Sequence, residues 1–167
     1  MSTLKVPGAQ LSYEVSGDGP LLILIPGARG EGEVFRPLAH LLSAQYQVVI
    51  YDRRGFSQSS LDGPQDYDHR LDTDADDVRR LIEHLTDQPA TVFGSSSGAI
   101  VALEVLSHSP ERVQTVGTHR PFNSPGASHT VPRRVSCSDG RDGSFDLRGR
   151  RFLLCWTTRC QETEAPE

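Results

Sequence analysis

Residues 90–99 read Ala-Thr-Val-Phe-Gly-Ser-Ser-Ser-Gly-Ala, and this stretch decides the fold. Its first four residues are apolar or β-branched and predict a short strand, whereas the apolar spacing of residues 98–106 predicts a helix. Between them, Gly94, Ser96 and Gly98 form the pattern G-x-S-x-G, which is typical of a sharp turn from a strand into a helix. Glycines at both positions remove side chains that would clash at such a turn. The pattern therefore predicts that Ser96 projects from the end of a sheet as a nucleophile.

A flexible surface turn is the alternative explanation for three serines between two glycines. The preceding strand and the following helix favour the catalytic interpretation, because the first N–H groups of a helix are free and its dipole attracts negative charge. The backbone N–H of Ser97 could then hold an oxyanion that develops beside Ser96.

The rest of residues 1–116 alternates between strand and helix patterns. Continuous apolar runs predict buried strands, and apolar residues three and four apart predict helices. Strands are expected at 3–6, 10–15, 21–25, 47–51, 90–93 and 113–116, and helices at 35–42, 72–85 and 98–106. Asp72, Asp74, Asp76 and Asp77 are expected in the first turn of the second helix, at the positive end of its dipole. This alternation predicts an α/β fold with a mostly parallel sheet and helices on both faces.

Two loops that follow predicted strands carry further signals. Residues 26–32, the glycine loop, read Pro-Gly-Ala-Arg-Gly-Glu-Gly and could direct the N–H of Ala28 into a neighbouring site as a second oxyanion donor. Phosphate binding is disfavoured there, because Glu33 and Val34 stand where a phosphate loop needs Lys and Ser or Thr. Residues 52–59, the arginine turn, read Asp-Arg-Arg-Gly-Phe-Ser-Gln-Ser, which taken alone predicts a charged surface turn.

Composition narrows the possible partners of the 167-residue chain. The net charge of −5 argues against nucleic-acid binding, and the longest apolar run is far shorter than a membrane span. No apolar leader is visible at the N-terminus, so a cytoplasmic location is expected. The three cysteines lack the C-x-x-C spacing of a zinc site, and no metal or cofactor is predicted. The oligomeric state stays open.

Taken together, the G-x-S-x-G turn, the glycine loop and the arginine turn resemble the α/β-hydrolase superfamily, in its bacterial esterase, haloperoxidase and epoxide-hydrolase-like branch. The resemblance covers residues 1–116, with the glycine loop, the arginine turn and residues 93–99 in the family's order. It implies a partial α/β-hydrolase fold with Ser96 as nucleophile and the Ala28 and Ser97 N–H groups as the oxyanion hole. It also implies cofactor-free hydrolysis of a small-molecule ester or related carbonyl compound.

The sequence departs from the family in the rest of the catalytic triad. The family orders its triad Ser, then Asp or Glu, then His, but Glu104 and Glu111 are the only acids between Ser96 and the last histidine, and both fall in or beside the third predicted helix. His119 and His129 remain as candidate bases, and His119 follows a predicted strand. The alternative function is therefore a truncated, inactive hydrolase fragment.

The sequence changes character near residue 117. Residues 1–116 carry 9 Lys and Arg against 16 Asp and Glu, whereas residues 117–167 carry 8 against 6 together with all three cysteines. Only 152–156 has the pattern of a strand there, so an irregular C-terminal tail is expected. Our hypothesis is that residues 117–167 are a frameshifted extension of the hydrolase-like part.

Overall fold

The computed structural model describes residues 1–119 in full and the backbone of two later strands. The strands are β1 (Ser2–Val6), β2 (Ala9–Ser16), β3 (Leu21–Ile25), β4 (Gln47–Tyr51), β5 (Ser60–Leu61), β6 (Ala90–Ser95), β7 (Val113–His119), β8 (Gly143–Asp146) and β9 (Arg151–Cys155). The helices are α1 (Arg36–Leu42), α2 (Arg70–Leu85) and α3 (Ser97–His108), with single 3-10 turns at Gly32–Phe35 and Pro110–Arg112.

These strands form one mixed sheet in the order β1-β2-β4-β3-β6-β7-β9-β8, with β5 paired beside β2. Five neighbouring strands of the sheet, β4, β3, β6, β7 and β9, are parallel to one another. Antiparallel strands flank them on both sides. The predicted α/β fold with a mostly parallel sheet is confirmed. The loops after β3, β4 and β6 therefore leave the sheet at its carboxyl edge, where open α/β sheets bind ligands.

Helices cover both faces of the sheet because its central strand is apolar on both sides. All five residues of β3 are buried, and successive side chains point to opposite faces. Leu22 and Leu24 pack with α1 on one face, whereas Ile23 and Ile25 pack with α2 and α3 on the other. Fully buried strands of this kind are typical of parallel sheets.

Helix α2 shows where simple periodicity succeeds and where it fails. Val78, Leu81 and Ile82 form the expected buried stripe. The helix begins at Arg70, however, so that only one of the four aspartates lies in its first turn. The expectation that all four face the helix dipole is wrong, because two of them, described below, point into the interior where arginines pair with them.

The other differences between the sequence predictions and the structure arise from tertiary packing and strand pairing. Leu41 fits the apolar spacing of α1 but is 72% exposed, since no described element packs over it. Strand β9 matches the strand expected at 152–156, whereas β8 lies in a stretch expected to be irregular and is formed by antiparallel pairing with β9. His129, Cys137 and Cys160 lie outside the described residues. No helix in the described part of the chain is both long and apolar enough to cross a membrane.

Candidate functional site

The turn between β6 and α3 has an unusual backbone at Ser96. Its φ of 56° and ψ of −123° lie outside the regions that L-residues normally occupy. Such a conformation costs about 1–3 kcal/mol and persists only where the surroundings enforce it. Ser96 is half-buried and immediately precedes the first residue of α3. The backbone N–H of Ser96 donates to the carbonyl oxygen of His119 at 2.8 Å, which fixes the turn to the end of β7.

Two glycines make this turn possible through close backbone contacts. A Cβ atom at Gly94 would lie 2.1 Å from the Gly98 carbonyl oxygen. One at Gly98 would lie 2.3 Å from the carbonyl oxygen of Ile25 and 2.6 Å from that of Pro26. Helix α3 therefore starts directly against the end of β3, and this contact brings the glycine loop to the serine.

The two predicted oxyanion donors belong to segments that both lie next to Ser96. Ser97 is the first residue of α3, so its N–H has no partner within the helix. The Ala28 N–H follows Gly27, where an added Cβ would lie 3.1 Å from the Ser96 Cβ. Within residues 1–119, neither the Ala28 nor the Ser97 N–H donates a hydrogen bond. Both donors are available to a ligand beside Ser96.

His119 lies beside the turn but contacts the neighbouring serine. Its Nδ1 atom lies 3.4 Å from the Ser95 hydroxyl oxygen, a long contact whose donor depends on the imidazole tautomer. The Ser96 hydroxyl has no hydrogen-bond partner within residues 1–119. The structure thus brings Ser96, Ala28, Ser97 and His119 to one edge of the sheet without a hydrogen bond between the serine hydroxyl and the imidazole.

Three other histidines have partners of their own. His84 approaches the Tyr13 hydroxyl at 3.1 Å, and His108 approaches Glu104 at 3.3 Å. His69 contacts Asp66 at 2.8 Å, and this carboxylate raises the pKa of the imidazole. None of these contacts involves the Ser96 turn.

The charged residues of the arginine turn, Asp52, Arg53 and Arg54, are buried, which contradicts the charged surface turn expected from its sequence. Asp52 holds it in place, because its carboxylate accepts the backbone N–H groups of Gly32 at 2.8 Å and Gln58 at 3.0 Å. Arg53 and Arg54 are 8% and 6% exposed. Charged side chains are buried to this degree only when opposite charges accompany them.

Those opposite charges are supplied by α2. Arg53 donates to Asp74, and Arg54 donates to both carboxylate oxygens of Asp77, at 2.7 and 2.5 Å. Asp74 and Asp77 are 2% and 1% exposed, and Arg70 also donates to Asp74, at 2.9 Å. Two buried ion pairs thus connect α2 to the turn that follows β4.

A signal for these pairs is present in the sequence. Asp74 and Asp77 are three residues apart and align with Val78 and Leu81 on the apolar face of the helix. Carboxylates within an apolar stripe need buried cations, and the Arg53-Arg54 pair directly after a buried strand is the obvious source.

Arg54→Met should lower the free energy of unfolding by about 3–5 kcal/mol at neutral pH, because it leaves Asp77 buried without a partner. Burial raises the pKa of Asp77 even beside Arg54. Removing Arg54 raises it further, so the folded variant binds a proton more readily than the unfolded chain does. The variant should therefore recover stability relative to wild type as the pH falls toward the ordinary value of 3.8.

Urea unfolding at several pH values measures this effect. The Arg54→Met/Asp77→Leu double variant is the control, and it should lie close to wild type because no unpaired charge remains. A loss in Arg54→Met that does not vary with pH would contradict the explanation.

Besides Ser96, one other non-glycine residue in the described part of the chain has a positive φ, namely Ser57, at 47°. Its side chain is exposed and makes no hydrogen bond within residues 1–119. Ser57→Gly should raise the free energy of unfolding by about 1 kcal/mol, because glycine adopts this backbone without steric cost. Thermal unfolding tests this, with Gln58→Gly as a control that should destabilise. Equal behaviour of the two variants would contradict the prediction.

Comparison with known proteins agrees with this geometry. The family model of the alpha/beta hydrolase fold matches residues 20–135, which extends beyond the part that carries the motifs. An uncharacterized hydrolase of Bacillus subtilis, YraK, is 44% identical over 120 residues, covering 72% of this chain and 44% of that protein. A zearalenone hydrolase of Cladophialophora bantiana is 32% identical over 140 residues, covering 80% of this chain and 53% of that protein.

A solved structure of a hydrolase from Pseudomonas aeruginosa PA01 has a TM-score of 0.64 and 29% identity, covering 70% of this chain and 44% of that one. The chain spans about half the length of the curated relatives it matches. Sheet order, serine turn and family model agree, and the chain belongs to the family of α/β-hydrolase-fold proteins.

Proposed function

We propose that the protein is a serine hydrolase that cleaves a small-molecule ester or related carbonyl compound with Ser96 as nucleophile. The observation that carries this proposal is the strained Ser96 backbone at the start of α3, next to the Ala28 and Ser97 N–H groups, which have no partner within residues 1–119. A strained residue at the carboxyl edge of a sheet is a feature of functional sites. The matched relatives named hydrolases support the same reaction class.

In the proposed mechanism, the Ser96 hydroxyl oxygen attacks the carbonyl carbon while its proton passes to a base. The carbonyl oxygen gains the negative charge and accepts hydrogen bonds from the Ala28 and Ser97 N–H groups. Departure of the alcohol, which takes up that proton, leaves an acyl-serine. Water then adds to the acyl carbon as the base takes one of its protons, and the bond to the Ser96 oxygen breaks as that oxygen takes the proton back and the acid leaves. His119 is the histidine of the described part of the chain that approaches this turn, and we propose it as the base.

One observation favours a second candidate function. Within residues 1–119 the Ser96 hydroxyl contacts no base, and His119 contacts Ser95 instead. A hydrolase-fold protein with a formed serine turn but no turnover would have this arrangement. The two candidates differ in whether Ser96 is activated.

Labelling with a fluorophosphonate probe tests the proposal, because the probe reacts with activated serines. The full chain should form one adduct, and mass spectrometry of its peptides should place the adduct on Ser96. Ser96→Ala should give no adduct. A folded wild-type chain that does not react would favour the inactive candidate.

A further inference from the structure

The guanidinium of Arg53 connects the two segments that carry the proposed oxyanion donors. Its Nη1 atom donates to the Gly27 carbonyl oxygen at 3.1 Å and to the Ser97 hydroxyl at 3.2 Å. One nitrogen therefore contacts both the glycine loop and the first residue of α3.

The bond to Gly27 bears directly on the Ala28 N–H. The Gly27 carbonyl and the Ala28 N–H belong to the same peptide group, which is planar and trans, so they point in opposite directions. Fixing the carbonyl toward Arg53 therefore fixes the direction of the N–H on the other side. A donor on the carbonyl also polarises the peptide group and strengthens its N–H as a donor.

The position of Arg53 is itself fixed from two sides. Its backbone N–H donates to the Gly30 carbonyl at 2.8 Å, and Gly30 closes the loop by donating to Gly27 at 3.0 Å. Its Nη2 atom donates to Asp74, which is anchored on α2 and receives a second bond from Arg70. A rigid, buried support of this kind is what holds a donor to within a fraction of an ångström.

We propose that Arg53 is a positioning residue that orients the Ala28 N–H and holds Ser97 beside it, so that both donors converge on one oxyanion. This inference rests on the proposed serine hydrolase function. Arg53 does not touch the substrate in this proposal, because it lies behind the peptide group that does.

Arg54 supplies a matched control. It follows Arg53 in the chain, is equally buried and also pairs with an aspartate of α2, but its contacts are with Asp77 and the Pro7 carbonyl. The test compares Arg53→Met/Asp74→Leu with Arg54→Met/Asp77→Leu. Each double variant removes a buried arginine together with its buried aspartate. Asp74→Leu also removes the carboxylate that Arg70 contacts, but Arg70 is partly exposed and keeps its bond to the Arg54 carbonyl oxygen, so both variants should fold, which thermal unfolding would verify.

With p-nitrophenyl acetate as substrate, the double variant Arg53→Met/Asp74→Leu, here called the Arg53 pair, should lower kcat by about 10- to 100-fold. Its KM should change less than about twofold, because oxyanion contacts act in the transition state. The Arg54 pair should retain kcat to within about threefold. In 1H-15N NMR spectra, the Ala28 and Ser97 amide resonances should move with the Arg53 pair and not with the Arg54 pair. Equal losses of kcat in the two double variants, or unmoved resonances, would overturn the inference.

The two readouts separate this inference from the proposed function. If the wild-type chain neither reacts with the fluorophosphonate probe nor hydrolyses the ester, the proposed function fails. The amide resonances then decide by themselves whether Arg53 orients the Gly27–Ala28 peptide group. Resonances that move with the Arg53 pair alone support that role, and resonances that stay in place contradict it.

Discussion

Ser96→Ala should lower the rate of p-nitrophenyl acetate hydrolysis at least about 10³-fold. The methyl group fits the same turn, so the backbone and the Ala28 and Ser97 N–H groups should stay in place. Only the attacking oxygen is lost, and without it no acyl-serine can form. Steady-state rates measured on full chains of wild type and variant at equal concentration test this expectation.

Ser95→Ala is the informative comparison, because its hydroxyl contacts His119 and that of Ser96 does not. If Ser96 is the nucleophile, Ser95→Ala should retain most of the burst of p-nitrophenol that accompanies acylation. Loss of the burst in Ser95→Ala with a normal burst in Ser96→Ala would move the nucleophile to Ser95. Such a result would contradict the proposed role of Ser96.

Gly98→Ala should lower the free energy of unfolding by about 4 kcal/mol or more, a loss that few single substitutions cause. The added carbon would overlap two backbone oxygens, those of Ile25 and Pro26, which no side-chain rotation can relieve. Helix α3 would have to move away from β3 and would uncover part of the core. Urea unfolding monitored by circular dichroism gives the free energy directly.

Gly8→Ala separates this steric effect from the general cost of replacing glycine. Gly8 has a left-handed φ of 74°, yet a Cβ there would be no closer than 3.8 Å to any neighbour. That variant should therefore lose only about 1 kcal/mol, the cost of the left-handed backbone. Similar losses at Gly8 and Gly98 would show that the contact with β3 does not decide the effect.

Much of the fold follows from local patterns in the sequence. Strands β3 and β4 have the predicted boundaries because both are short apolar runs stopped by residues that cannot continue a buried strand. Strands β6 and β7 continue to Ser95 and His119, beyond the predicted ends. Those extra residues are glycines or polar residues, and what keeps them in strands is pairing with each other along the sheet.

The candidate site, like the fold, is predictable from the sequence only where it depends on residues close in the chain. The G-x-S-x-G spacing identifies Ser96 and the two glycines, because the turn is local and its steric demands are visible in five residues. Asp74 within the apolar stripe of α2 indicates that a buried cation is needed, but the sequence does not show which arginine meets it, since 21 residues separate Arg53 from Asp74. Burial changes the outcome, because two charges that are unremarkable in water must find each other inside a protein.

The sequence by itself thus determined an α/β sheet, a serine turn and a glycine-rich loop, each of which depends on residues that are close in the chain. Only the tertiary structure decided that Arg53 and Arg54 are interior, that Arg53 contacts both the glycine loop and the first residue of α3, and that His119 contacts Ser95. Those facts depend on which loops the parallel strands bring to a common edge. Contacts across that edge join residues that are distant in sequence, and no local pattern records them.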